Sequence, residues 1–314
     1  MNKFSWIMKA CGVFLLWAAA AVALPAQTFT TLHTFDGTDG ANPYAELVQD
    51  TDGNQYGTTE YGGANGEGTV FKITPSGALT TLYSFCSQSN CTDGSNPQTG
   101  LVQGADGIFY GATTGGGANT SCTVFGFTGC GTVFKITPSG TLTTLHSFDL
   151  TDGALPNTAL VQATNGKFYG TTPYGGNNAC SGGCGTVFTI TPSGTFTTLH
   201  SFDFTDGENP EAVLVQATNG NLYGATYNGG FKGDGTVFEI APSGTLTTLY
   251  NFNGSDGEWP NGLVQATDGN LYGTTEDGGI SGDGTVFEIT PSGTFTSLFS
   301  FDNTDGAIPI AGLI

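Results

Sequence analysis

Beyond residue 27 the chain alternates short runs of β-branched and aromatic residues with clusters of Gly, Pro, Asn, Asp and Ser, and an apolar period of 3.6 appears nowhere. Residues 260–301 carry the pattern: PNGLVQATDGNLYGTTEDGGISGDGTVFEITPSGTFTSLFSF. Four strands are predicted, over 262–266, 271–275, 285–290 and 295–301, because runs of this length and composition suit a pleated sheet. Asp268-Gly269 predicts a tight turn between the first two strands, and Pro291-Ser292-Gly293 one between the last two. The strands are apolar on both faces, so each small sheet must be covered on both sides.

The same text recurs along the chain. GTVF stands at 68–71, 131–134, 185–188, 235–238 and 284–287, at spacings of 63, 54, 50 and 49. Asp-Gly-x-x-Pro ends at Pro43, Pro97, Pro156, Pro210, Pro260 and Pro309, and Tyr-Gly pairs begin at Tyr56, Tyr110, Tyr169, Tyr223 and Tyr272. Tandem four-stranded meanders of this length predict an all-β fold, a β-propeller of four-stranded antiparallel blades. The rungs of a β-helix are shorter, and a flat array of hairpins would leave strand edges open. Five complete repeats start near residues 45, 99, 158, 212 and 261. An extra fourth strand at Phe29–Phe35 and an extra first strand at Ala311–Ile314 predict a partial closing blade without strands two and three. Ile314 falls in mid-unit, as expected of a truncated chain or an open ring.

Residues 1–26 read as a signal peptide. Lys3 and Lys9 precede an uncharged run from Ala10 to Leu24, shorter than the ~20 residues of a membrane span. Cleavage is expected after Ala26, with Ala23 as the alternative. No second apolar segment follows, so the repeat domain, 27–314, is expected to have no membrane span and to be secreted or held at a bacterial cell surface as a monomer. Its balance is four Lys against 26 Asp plus Glu, or −22. A chain so poor in Lys, and without Arg, cannot neutralise phosphates, which excludes nucleic acid as a partner.

Six cysteines remain after the signal, in close pairs: Cys86 with Cys91, Cys122 with Cys130, Cys180 with Cys184. An even count in an exported chain predicts disulfides, and local pairing is the simplest of the 15 connectivities. Zinc is the alternative, disfavoured because no pair has the two-residue spacing and no His lies near.

GTVFKITPSGTLTTLHSF (131–148) and LVQATDGNLYGTT (263–275) resemble the GloVer (Gloeo–Verruco) tandem repeat of exported bacterial proteins, over nearly all of 28–314. A looser similarity runs to NHL-type and streptogramin-lyase propellers. The resemblance implies a surface protein of a family without an established enzymatic activity, some of whose members carry a carboxy-terminal sorting anchor.

Meander topology puts the one-to-two and three-to-four turns on one side of the fold. The other side carries the variable loops (60–68, 114–131, 173–185, 227–235, 276–284), the Asp-Gly-x-x-Pro connections, all six of these cysteines and 20 of the 26 acids. Binding residues concentrate on such loops. Tyr61, Tyr174, Tyr227, Phe231 and Trp259 are the candidate ligand-binding residues, since aromatics beside carboxylates can stack on sugar rings while the acids take hydroxyls. Packing within their own loops is the alternative. Asp36, Asp39, Asp149, Asp152, Asp203, Asp206, Asp302 and Asp305 pair up within the connections. Turn formation explains them; weak calcium binding is the alternative, short of the six to eight oxygens the ion wants. His33, His146 and His200 share a fourth-strand position with Tyr83, Tyr250 and Phe299, which reads as a packing site. Gln49, Gln103, Gln162, Gln216 and Gln265 end the first strands and are expected to satisfy backbone groups of the next blade. No catalytic motif is found: there is no G-x-S-x-G, no H-E-x-x-H and no P-loop lysine. The expected function is a non-enzymatic binding or scaffold module for extracellular glycans or proteins. A purely structural or adhesive repeat, or a lyase or hydrolase using loop carboxylates, is the alternative.

Overall fold

The computed structural model describes residues 29–313 apart from Ser121, Phe125, Asn177 and Asn178. The signal segment 1–26 lies outside the described residues. The repeats fold within one unit that begins at Leu32.

Five four-stranded antiparallel sheets follow one another as propeller blades. Blade 1 is Val48–Gln49, Gln55–Thr59, Thr69–Ile73 and Leu79–Ser84; blade 2 is Val102–Gln103, Phe109–Thr113, Thr132–Ile136 and Leu142–Ser147. Blade 3 is Val161–Gln162, Phe168–Thr172, Thr186–Ile190 and Phe196–Ser201; blade 4 is Val215–Gln216, Leu222–Thr226, Thr236–Ile240 and Leu246–Asn251. Blade 5 is Glu258–Gln265, Leu271–Asp277, Thr285–Ile289 and Phe295–Ser300. The first strand pairs over only two residues in blades 1–4, shorter than the sequence suggests, and over a longer, bulged stretch in blade 5. A small hairpin, Thr123–Val124 with Phe127–Thr128, fills the longest insertion. The single helical turn among the described residues is a 3-10 turn at Ser89–Cys91.

The repeated residues explain the sheets. Each strand-two glycine lies under the strand-three phenylalanine: a Cβ on Gly224 would come 2.6 Å from Phe238 Cζ and 2.8 Å from Leu214 Cδ2. In blades 1 and 2 the tyrosine before that glycine stacks on the aromatic of the next blade's second strand, Tyr56 on Phe109 at 4.2 Å and Tyr110 on Phe168 at 3.9 Å between centroids. Phe85, Phe148, Phe202 and Phe252, just past the fourth strands, meet Phe134, Phe188, Phe238 and Phe287 of the following blade edge-on. Four buried clusters therefore lie between consecutive blades. Full burial of each such ring contributes about 1.5–3 kcal/mol.

The Asp-Gly connections dock on a buried threonine pair. Thr172 and Thr186 hydroxyls are 2.9 Å apart, and the Thr186 hydroxyl donates to the Asp152 carbonyl at 3.1 Å. Gly153 sits directly on Thr172 at φ 139°, where a Cβ would lie 2.6 Å from the hydroxyl oxygen. The strand-one glutamines do satisfy backbone, but of the preceding blade: Gln162, Gln216 and Gln265 accept from the Ala105, Thr164 and Thr218 amides at 2.8–2.9 Å. First-strand side chains face back across the sheet interface, which reverses the expected direction.

At the amino end the Leu32 carbonyl lies under Gly77, where Leu82, Leu145, Leu199 and Leu249 lie under Gly140, Gly194, Gly244 and Gly293. Residues 32–35 thus occupy a fourth-strand position. Pro309 likewise packs at Gly284 as Pro260 does at Gly235. Among the described residues neither 32–35 nor 311–313 pairs in a sheet.

Candidate functional site

The variable-loop side is built from two positions that repeat in place but not in identity. One follows the proline of each connection: Tyr44, Gln98, Asn157, Glu211, Asn261 and Ile310. The other follows the last threonine of the second strand: Glu60, Thr114, Pro173, Tyr227, Glu276. Neighbouring blades bring the two sets together. Gln98 donates to Glu60 at 2.5 Å, the Thr114 hydroxyl lies 3.4 Å from Gln98 Oε1 and from the Pro156 carbonyl, and the Tyr227 hydroxyl donates to Glu276 at 3.2 Å. They form an arc across the inner ends of the blades.

Two of the five candidate aromatics join this arc as a pair. The Tyr227 and Trp259 rings stack 5.4 Å apart and 9° from parallel. Trp259 occupies the position that holds Asn42, Asn96 and Asn209 in other blades, and all share φ near 55°. Asn tolerates that left-handed backbone, whereas Leu155, Trp259 and Ile308 adopt it against a steric penalty of about 1–2 kcal/mol. Tyr174 lines a cavity of about 180 Å³ with Gln98, Thr114, Leu155, Asn157 and Glu211. Phe127 is shared between this cavity and a second one of about 460 Å³, between the Cys91 turn and the Phe127–Thr128 hairpin strand. Tyr61 and Phe231 are exposed elsewhere on the loop side, Phe231 with the Lys232 ammonium 5.5 Å from its ring centre.

The electrostatics are one-sided. Among the described residues the only ion pairs are three His–Asp contacts. Glu211 is open to solvent, yet the protein around it partly desolvates the carboxyl, and with the charge of Glu276 holds it above the usual range. Partial desolvation also raises Glu208. Desolvation and then the Glu276 charge push the Tyr227 hydroxyl up to about 12.

The paired aspartates are engaged in turn formation. Asp149 Oδ1 accepts from the Thr151 amide and hydroxyl at 3.0 and 2.6 Å, and Asp152 Oδ1 accepts from the Asp149 amide at 3.0 Å. The other Asp152 oxygen accepts from His146 Nε2 at 2.8 Å. Asp36 with Asp39 and His33, and Asp203 with Asp206 and His200, repeat the arrangement. Asp302 and Asp305 keep the turn without the ring, since Phe299 carries no donor. Among the described residues no group of three or more His, Cys, Asp and Glu could hold a metal ion. The fourth-strand position is thus more than packing: four of its polar members are met here or by Tyr250 on Asp256 at 2.5 Å, and Tyr83 on Asp93 at 2.7 Å completes the set. The signal in the sequence was the Asp six residues after each His.

The three disulfides join Cys86 to Cys91, Cys122 to Cys130 and Cys180 to Cys184, with Cα atoms 4.0, 5.5 and 5.0 Å apart. Two of them staple the variable loops 114–131 and 173–185, and Cys86–Cys91 staples the connection into blade 2.

The sequence model of the Gloeobacter/Verrucomicrobia repeat matches residues 19–128 and 126–314. The chain belongs to the Gloeobacter/Verrucomicrobia repeat family. Its three disulfides and the exported character of that repeat family are consistent with an extracellular protein. No helix among the described residues is long and apolar enough to cross a membrane. No curated protein matches this family member. Among solved structures it is similar to a protein of unknown function from Dyadobacter fermentans, at 10% identity over 84% of each chain with a TM-score of 0.50. It is also similar to a gluconolactonase from Xanthomonas campestris, at 13% identity over 88% of this chain and 78% of that one with a TM-score of 0.46. At these identities the likeness concerns the fold alone.

Proposed function

We propose that this family member is a secreted propeller that binds extracellular glycans, without chemistry, through the inner arc of its variable-loop side. The observation that carries the reading is the stacked Tyr227–Trp259 pair beside Glu276. A flat apolar ring face next to an acceptor is what a pyranose presents its C–H face and hydroxyls to.

The test is calorimetric titration of the full exported chain with soluble oligosaccharides. Wild type should bind, and Trp259→Ala with Tyr227→Ala should weaken binding at least tenfold, about 1.4 kcal/mol. Undiminished binding by the double variant would sink the reading. The hydrolase or lyase alternative has one observation in its favour, Glu211 raised beside Glu276, a pattern that separates an acid from a base. Release of reducing ends from a polysaccharide, lost in Glu211→Gln, would establish it instead.

A further inference from the structure

Blade 2 departs from its neighbours at one pair of positions. The residue after each Asp-Gly bridges to one just past a second strand: Ala41 to Tyr61, Ala154 to Tyr174 and Glu208 to Asn228. The corresponding bridge in blade 2 joins Ser95 to Gly115. Blade 2 therefore lacks the side chain that Tyr61 and Tyr174 supply elsewhere, and the cavity of about 460 Å³ lies beside this bridge, lined by Glu67, Asn90, Ser95, Asn96, Phe127 and Thr128 among others. Three of these side chains converge over Gly115. A Cβ there would come 2.6 Å from Ser95 Oγ, 3.3 Å from Phe127 Cδ1 and 3.5 Å from Asn96 Oδ1. Ser95 and Asn96 are each only 6% exposed. Yet among the described residues the Ser95 hydroxyl makes no hydrogen bond, and the Asn96 side chain makes only a long one, from Nδ2 to the Glu60 carbonyl at 3.5 Å. Neither oxygen is sealed from solvent as the Asn157 oxygen is. Two nearly buried residues thus hold unpaired polar atoms at an opening. The cavity is also pre-formed. Cys86–Cys91 fixes the Ser89–Cys91 turn on one wall, and Cys122–Cys130 fixes the Phe127–Thr128 hairpin strand on the other. The Gly116 and Gly117 amides donate to the Thr128 and Cys91 carbonyls at 2.9 Å, which ties both walls to one segment.

We infer that this cavity is a second sugar site, for a single neutral hexopyranose, independent of the Tyr227–Trp259 pair. No Lys lines it and the chain has no Arg, so an anionic ligand finds no counter-charge. The one carboxylate, Glu67, makes no hydrogen bond and no ion pair among the described residues. Around it stand uncharged hydroxyls and amides, a set that suits groups able both to donate and to accept. Sugar hydroxyls donate to Glu67 and Asn96 Oδ1 and accept from Ser95, while the C–H face of the ring covers Phe127. The volume lies within the ~300–1,000 Å³ of small-molecule sites. Walls held in place before binding spare the ligand the ordering cost that a mobile loop would impose.

The probes are the methyl glycosides of glucose, galactose, mannose, glucosamine and glucuronic acid, titrated into the full exported chain and followed by saturation-transfer NMR. At least one of the three neutral glycosides should bind, with a Kd on the order of millimolar as befits a single ring, and the glucuronide about tenfold more weakly or not at all. Ser95→Ala gives blade 2 the residue that Ala41 and Ala154 supply in blades 1 and 3, and removes a hydroxyl that no protein group uses. It should weaken the neutral glycoside at least fivefold while the melting temperature stays the same or rises, a combination that misfolding does not produce. Glu67→Gln should weaken it severalfold, and Trp259→Ala should leave it unchanged. Tightest binding of the glucosamine or glucuronic acid glycoside, or undiminished binding by Ser95→Ala, would overturn the inference. Binding lost in Trp259→Ala but kept in Ser95→Ala would move the sugar to the inner arc, overturning this site and leaving the glycan reading in place. So would Trp259-dependent binding of oligosaccharides with none of the single rings. Absence of binding to sugars of any length would remove both.

Discussion

His146 Nε2 donates to Asp152 Oδ2 across 2.8 Å, tying the fourth strand of blade 2 to the Asp-Gly connection that leads into blade 3. His146 also stacks on Phe196 of blade 3 at 3.8 Å, so one ring joins strand, connection and neighbour. Tyr83 and Tyr250 make the equivalent bond. His146→Tyr should therefore be tolerated. His146→Phe, which keeps the stack and loses the donor, should cost about 0.5–1.5 kcal/mol. Scanning calorimetry checks this: roughly 2–4 °C is lost per kcal/mol in a domain of this size.

The connection aspartates give stability a defined pH dependence. Hydrogen bonds from Thr151 and Thr205 hold Asp149 and Asp203 below their ordinary value of 3.8. A carboxyl with a lowered folded pKa stabilises above its unfolded value and loses that contribution as pH falls through the folded one. Glu208, Glu211 and Glu258 shift the other way, above 4.5, so their ionised forms oppose folding and protonation relieves them. The melting temperature should rise slightly from pH 7 towards pH 5, then drop below pH 4. Glu211→Gln should flatten the rise and leave the drop.

Calcium should change little. Asp36, Asp39, Asp149, Asp152, Asp203 and Asp206 already accept from backbone amides, threonine hydroxyls and histidine rings. A thermal melt in EDTA and then in 10 mM calcium should superimpose. An ion bound with Kd near 100 μM would add about 2.7 kcal/mol by linkage, a shift of several degrees.

Much of this was legible in the sequence, for a physical reason. Repetition samples one structural position five or six times, so GTVF, Tyr-Gly and Asp-Gly-x-x-Pro report the constraints of every blade at once. Gly224 recurs because Phe238 leaves no room for a Cβ; Gly224→Ala should cost about 1–3 kcal/mol by overpacking, measurable by urea unfolding. The same averaging hid the arc. Gln98, Asn157 and Glu211 look like noise at one position of the repeat, and only blade packing shows that they share a cavity. The His position misled because Phe299 stands among the hydrogen-bonding residues, and contact with an aspartate six residues on is invisible without the turn that folds it back.

Trp259 separates stability from binding. An asparagine suits its φ of 57°, as at Asn42, Asn96 and Asn209. Trp259→Asn relieves the backbone and forfeits the stack on Tyr227, two effects of similar size. Its melting temperature should lie within about 3 °C of wild type, while glycan affinity falls at least tenfold.

Trp259 also provides the most direct test of the central claim, because Trp6 and Trp17 fall within the predicted signal and Trp259 is the sole tryptophan of residues 27–314. Its fluorescence can be followed during titration with the oligosaccharide that calorimetry finds to bind. A saturable change in Trp259 emission, with the calorimetric Kd, is the predicted result. Calorimetric binding that leaves Trp259 emission unchanged would place the ligand elsewhere and contradict the account.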